Sequence, residues 1–147
     1  MRVDLKISPE YEETYAVIYC DRMTSEVSRA MELLGAAEGE RIISAERGEK
    51  TVILRPQDVY MVRIENGDTI VYTRSSNYRS RSRLYEITSR LGSGFMKISK
   101  SAVINLSYLD SIEARFGGMM HITMKNGSQD YVSRKYLPEL KKYLGLS

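Results

Sequence analysis

Tight-turn dipeptides punctuate this chain at short intervals, and they constrain its fold more than any other feature. Gly48 lies between Arg47 and Glu49, and Asn66-Gly67 lies between Glu65 and Asp68. Gly117-Gly118 and Asn126-Gly127 follow later. Such pairs supply the positive φ angles that short hairpin turns require. The runs they bound, at 41–45, 51–54, 59–64, 69–73, 78–82, 119–124 and 129–132, are short and β-prone. Strands at this spacing predict a mainly β (α+β) fold, a compact antiparallel β domain with a few short helices.

Helical spacing occurs three times. Val27, Ala30, Met31 and Leu34 follow Thr24, a capping residue, and stop at Gly35. Leu84, Ile87 and Leu91 follow Ser82, the expected cap, and stop at Gly92. Leu137, Leu140 and Leu144 form a closing helix, with Pro138 tolerated in its first turn. Before the first helix, Val3, Leu5 and Ile7 alternate as in a half-buried strand, and 15–20 is a second apolar run. Residues 1–46 therefore read as a small strand-strand-helix unit ending in a linker at 36–40, and residues 47–147 as the main domain. So short a first unit buries too little surface to stand alone, which points to packing or self-association.

Residues 95–105, FMKISKSAVIN, draw the eye chemically. An aromatic residue opens an alternating strand that runs through Ile98, and the alternation breaks at Ser101, where Ala102, Val103 and Ile104 are consecutive. The expectation is a strand running into a short turn or single helical turn, with Lys100 and Ser101 at the junction. Lys97 and Lys100, with the hydroxyls of Ser99 and Ser101, suit contact with phosphates or base edges. The same residues also suit an ordinary solvated loop.

Composition narrows the classes. In a chain of 147 residues, Cys20 is the one cysteine and His121 the one histidine. That excludes an internal disulfide, a Cys-rich zinc site and most His-based catalysis. The apolar neighbours of Cys20 predict a buried thiol. No nucleophile–base pair, carboxylate dyad or phosphate-binding glycine loop is identifiable, so a binding protein without metal or cofactor is expected rather than an enzyme. No apolar run approaches the length of a membrane span, and the N-terminus lacks a signal-peptide pattern, which favours a cytoplasmic protein. Charge is sorted along the chain: residues 1–46 hold five basic and ten acidic side chains, residues 47–147 hold 17 and nine. A basic module aimed at a polyanion, beside an acidic segment with another task, follows from that asymmetry.

The 95–105 stretch resembles the signature of LytTR-type DNA-binding domains: an aromatic, an alternating strand, a basic or polar residue with Ser, two apolar residues and Asn. Pro56-Gln57-Asp58-Val59-Tyr60 with Arg63-Ile64-Glu65 is similar to the family's strand entering its first DNA-facing loop. Leu84 and Ile87 match its preceding helix, and Val132-Ser133-Arg134-Lys135-Tyr136 its closing Ser-Arg motif. Residues 1–46 are too short for a phospho-accepting receiver domain, so the chain resembles a short standalone bacterial regulator, response-regulator-like but receiverless.

The resemblance implies double-stranded DNA read by loops on one edge of the β fold, paired direct-repeat sites, a homodimer on DNA, and DNA bending. It also suggests a small membrane protein as a restraining partner. Carried over by position, the contacts are Asn66, Asp68 and Thr69 in the first loop, Lys97, Ser99, Lys100 and Ser101 in the second, and Ser133, Arg134 and Lys135 in the third. Asp68 departs from the family's basic tendency, and a turn role suits it better than cytosine recognition. Asn105 is expected to close a turn through backbone hydrogen bonds. Arg79, Arg81 and Arg83 would share one face of a strand and contact phosphates, or merely guard an exposed edge. Two other classes remain open on residues alone: a basic β module for RNA or single strands, and a protein-interaction or ligand-sensing domain.

Overall fold

The computed structural model describes residues 1–12, 14–35 and 41–146. The chain divides into two units, Met1–Gly39 and Glu40–Ser147. The division falls earlier than the 46/47 boundary expected, because residues 43–47 are a strand of the second unit. The linker expected at 36–40 lies outside the described residues.

In the first unit the expected helix forms as α1, Ser25–Gly35. Thr24 caps it: its Oγ1 accepts from the Val27 amide at 3.2 Å, and its carbonyl accepts from Ser28 at 2.9 Å. Val27 is buried on this helix. The two expected strands are not formed among the described residues; a turn at Ser8, closed by the Tyr11 amide, is the local structure between them. A two-stranded ribbon without a third strand is marginal in water, which accounts for the failure. Cys20, expected buried, is exposed for the same reason, since no second layer covers its run.

The second unit follows the turn signals closely. Its strands are β1 (Ile43–Arg47), β2 (Lys50–Leu54), β3 (Met61–Glu65), β4 (Asp68–Tyr72), β5 (Asn77–Ser80), β6 (Phe95–Ser99), β7 (Ala102–Asn105), β8 (Leu109–Ala114), β9 (Met120–Met124) and β10 (Gln129–Val132). Helix α2 spans Leu84–Leu91 and α3 spans Leu137–Leu144. Seven strands form one antiparallel sheet in the order β2-β1-β5-β4-β3-β7-β6, and three form another in the order β10-β9-β8.

The larger sheet is a middle layer. Val62, Val71 and Val103 are paired neighbours on one face, packed with Leu84, Ile87 and Leu91 of α2. Met61, Tyr72 and Ile104 are paired neighbours on the other face, packed with Ile122 and Met124 of the small sheet and Leu140 of α3. This double burial corrects the reading of 102–104. The consecutive apolar residues are not a turn but β7, a central strand buried on both faces, and only residues 100–101 turn. Arg83, not Ser82, occupies the N-cap of α2 and makes no side-chain capping bond. Ser82 instead gives its amide to Ser80 Oγ at 3.2 Å.

Candidate nucleic-acid interface

Antiparallel pairing brings the three expected loops to one end of the strands. Asn66 and Gly67 form the two-residue turn between β3 and β4, with Glu65 opposite Asp68. Both take positive φ, 51° and 82°, as such a turn demands. Beside it, the Ile64 amide donates to the Ser101 carbonyl at 2.9 Å, fixing the β6–β7 turn against the hairpin. On the far side of β6, the Ser133 amide donates to the Ile98 carbonyl at 2.8 Å, so the segment after β10 joins the same end.

Within this end, Lys97, Lys100, Ser101, Arg134 and Lys135 are exposed, and Ser99 and Ser133 are half-buried. The Ser101 amide donates to Ser99 Oγ at 3.2 Å, which shapes the turn and leaves the Lys100 side chain outside it. Lys97 Nζ and Lys135 Nζ lie 5.9 and 5.6 Å from the centroid of the Tyr136 ring. One aromatic ring thus gathers a cation from the β6 strand and another from the closing loop. Among the described residues, Lys97, Lys100, Arg134 and Lys135 have no carboxylate within ion-pair distance.

Other expected contacts are placed differently. Thr69 is buried in β4 opposite Ser80. Asp68 faces Arg79, Oδ1 to Nε 3.5 Å, tying β4 to β5. Arg81 pairs with Glu46 at 3.0 Å. The three arginines do not share a strand face, because β5 ends at Ser80 and the chain bends before α2. Arg83 lines a depression with Lys97, Lys100, Gly67 and Tyr85. Asn105 is structural as expected. Its Nδ2 donates to the Val59 carbonyl at 2.9 Å, and its Oδ1 accepts from the Ser107 amide at 3.1 Å.

Two features lay outside the sequence reading. Tyr136 is the platform beneath two lysines, and its position next to Lys135 was the available signal. Arg63 is a hub rather than a surface cation. It donates to Glu65 at 3.0 Å, to the Tyr72 hydroxyl at 2.7 Å and to the Gln129 carbonyl at 2.8 Å, linking the two sheets behind the loops. Burial tends to lower the Arg63 pKa, but the Glu65 bond and neighbouring charge raise it on balance. Burial pushes the Tyr72 phenol above its usual value, and its bond to Glu65 adds to the shift.

Fold and site together define an antiparallel β module that presents unpaired cations on strand-end loops. The profile described as LytTr DNA-binding domain matches residues 49–145, and the chain belongs to that family. It is 23% identical over 146 residues to an uncharacterised HTH-type transcriptional regulator of Staphylococcus aureus strain MSSA476, covering 99% of each chain. The corresponding protein of strain COL matches at the same identity and coverage. Among solved structures, the LytTr DNA-binding domain of a Bacillus cereus protein named as a methyl-accepting/DNA response regulator superposes with a TM-score of 0.66 at 18% identity. That match covers 73% of this chain and 99% of the other, and it establishes the likeness of fold. Among the described residues, no helix is long and apolar enough to cross a membrane.

Proposed function

We propose that this protein is a cytoplasmic transcriptional regulator that binds double-stranded DNA sequence-selectively through loops at its strand ends. The observation that carries the reading is the convergence of Lys97, Lys100, Arg134 and Lys135, without carboxylate partners among the described residues, in a domain of a DNA-binding family. Like charges so gathered repel one another, and phosphates relieve that repulsion while releasing counterions. The relatives' names support the regulator role. No two described helices are consecutive in the chain, which favours loops over a helix-turn-helix reader.

In this reading Lys100 and Lys135 approach guanine O6 and N7, while Lys97, Arg134 and Arg83 hold phosphates. The hydroxyls of Ser99, Ser101 and Ser133 bond to phosphate oxygens, and Asn66 reaches a base edge from the hairpin tip. Asp68 and Thr69 support that hairpin from within. Strands sit about 4.8 Å apart, so the hairpin tip and the 100–101 turn are separated by about 10 Å, roughly three base-pair steps. So short a footprint favours two protomers on a direct repeat with DNA bending, and a small membrane protein as an upstream partner. The first unit serves dimerisation or receives a signal.

The test is fluorescence anisotropy on duplex DNA from upstream of the protein's own gene, over a salt series, against a Lys100→Ala/Lys135→Ala variant. Loss of both base contacts weakens binding to the preferred duplex by about 1–3 kcal/mol per contact, while the slope of log K against log salt, set by the phosphate contacts, changes little. The loss also reduces preference over unrelated duplex. A variant with unchanged preference would refute the assignment, and equal competition by RNA would favour an RNA-binding module.

A further inference from the structure

The first unit leaves a regular apolar pattern uncovered. Val3, Leu5 and Ile7 are 82%, 82% and 89% exposed, and Tyr15, Val17 and Tyr19 are 66%, 59% and 91% exposed. All six are odd-numbered, so on paired strands with Leu5 opposite Val17 they occupy one face. Helix α1 adds Met31 and Leu34, each 52% exposed. Unpaired β-prone runs and an open apolar face are hazards that native chains cover. A hairpin from one chain cannot cover them, since three or more strands are needed for independent stability.

We propose that a second copy of this chain covers them. Residues 2–8 of two copies pair antiparallel about a two-fold axis at Leu5, with the 15–19 runs on the outside of a four-stranded sheet. This rests on the reading above that the protein acts as a pair, and it assigns the pairing to one register. Centred on Leu5, the opposed residues are Leu5 with Leu5, Val3 with Ile7, Asp4 with Lys6 and Arg2 with Ser8. Each apolar residue meets an apolar one, and the one acid–base pair, Asp4 with Lys6, is generated twice by symmetry.

The other registers fail on charge or length. Centring on Asp4 opposes Arg2 to Lys6 and Asp4 to itself, and centring on Lys6 opposes that lysine to itself. Centring on Val3 sets no residue of the 2–8 run opposite Ile7, which is 89% exposed. A slip to a centre between residues sets apolar side chains opposite charged ones. Within one chain Asp4 is taken by Arg2 at 3.2 Å, but both side chains are largely exposed, so this ion pair is weak and exchanges readily.

The experiment uses the full chain. Sedimentation equilibrium without DNA should give twice the 16.8 kDa chain mass for the wild type. Asp4→Lys and Leu5→Glu should each fall to the single-chain mass, and Asp4→Lys/Lys6→Asp should return to the doubled mass. In a Cys20→Ser background, which removes the exposed native thiol, Leu5→Cys should oxidise to a covalent dimer. Opposed Cα atoms in an antiparallel pair lie about 4.5–5.5 Å apart, within the range of a disulfide. Asp4→Cys, whose opposite is Lys6, should not crosslink. Far-UV circular dichroism and binding to a single half-site report whether each variant is folded.

A dimer that survives both Asp4→Lys and Leu5→Glu is built elsewhere, and overturns the proposal. Failure of the charge swap to restore the dimer does the same, as does equal crosslinking at positions 4 and 5. A wild type that is monomeric yet binds its DNA overturns the pairing and leaves the regulator reading standing. A wild-type dimer that binds no DNA does the reverse.

Discussion

Replacing Asn105 with Ala separates fold from recognition. Asn105 is 5% exposed at the end of β7, beside the 3-10 turn Leu106–Tyr108. Its amide nitrogen donates to the Val59 carbonyl at 2.9 Å, and at a longer 3.5 Å to Pro56. Its oxygen accepts from the Ser107 amide at 3.1 Å. Two good bonds are worth about 1 kcal/mol each, and removing the donor from the buried Val59 carbonyl adds about 1–3 kcal/mol. The discount for partial solvation and relaxation brings the expected loss to about 2–4 kcal/mol, a large share of a typical domain's stability. At roughly 4–8 °C per kcal/mol for a domain near this size, the melting temperature falls by about 8–32 °C. Urea titration followed by circular dichroism measures the loss. Anisotropy well below the melting temperature measures DNA affinity, which should stay within about two-fold of wild type, below 0.5 kcal/mol. A variant of unchanged stability whose affinity collapses would refute the structural assignment and make Asn105 a reader of DNA.

Gly92, at φ 76° and ψ −155°, occupies a conformation that side chains rarely adopt, and a Cβ there would lie 1.7 Å from the Arg41 guanidinium. Gly92→Ala should cost about 1–3 kcal/mol in backbone strain, plus the displaced Arg41 bond to the Leu91 carbonyl. Gly94→Ala, with positive φ but open space around its Cβ, should cost less in the same thermal melts; equal losses would contradict the Arg41 contact. Alkaline stability tests the Tyr72 cluster. Because the folded phenol titrates above its usual value, its contribution is complete below about pH 10 and is lost as pH rises through the raised value. The wild type should therefore lose stability faster than Tyr72→Phe above pH 10 in urea titrations, and parallel decline of the two would contradict the shift.

Much of the second unit was legible because its turns are written in glycine and asparagine. Asn66-Gly67, Gly117-Gly118 and Asn126-Gly127 each stand between paired strands. What misled was burial on both faces. Ala102, Val103 and Ile104 look like a break in alternation only if one side of the strand meets water, and neither does. The arginines between 79 and 83 misled for a related reason. Where a short strand ends, and which cations find carboxylates, depends on β1 and β4 lying alongside, and Glu46 and Asp68 are distant in sequence. Lys100 and Lys135 could be singled out as loop cations, whereas the Tyr136 ring that draws Lys135 toward Lys97 emerges only from the packing of β6 against the closing segment. The first unit's alternation was real in sequence, yet alternation describes a face and cannot say whether a partner strand exists.

The doubly buried centre of the large sheet has a consequence for alignment. A strand with one wet face is held in register by oil against water, since a slip of one residue turns its apolar side outward. In β3 the neighbours Met61 and Val62 are both apolar and both wholly buried, so a slip there would exchange one greasy side chain for another. Polarity is nearly indifferent to that error. Alignment must come from the strand's two ends: the Asn66-Gly67 turn, which tolerates no other residue count, and the Asn105 amide, which grips the backbone at Val59. The end proposed to meet DNA is therefore also a ruler for the sheet behind it, and a lengthened β3–β4 turn would misalign strands well away from that end.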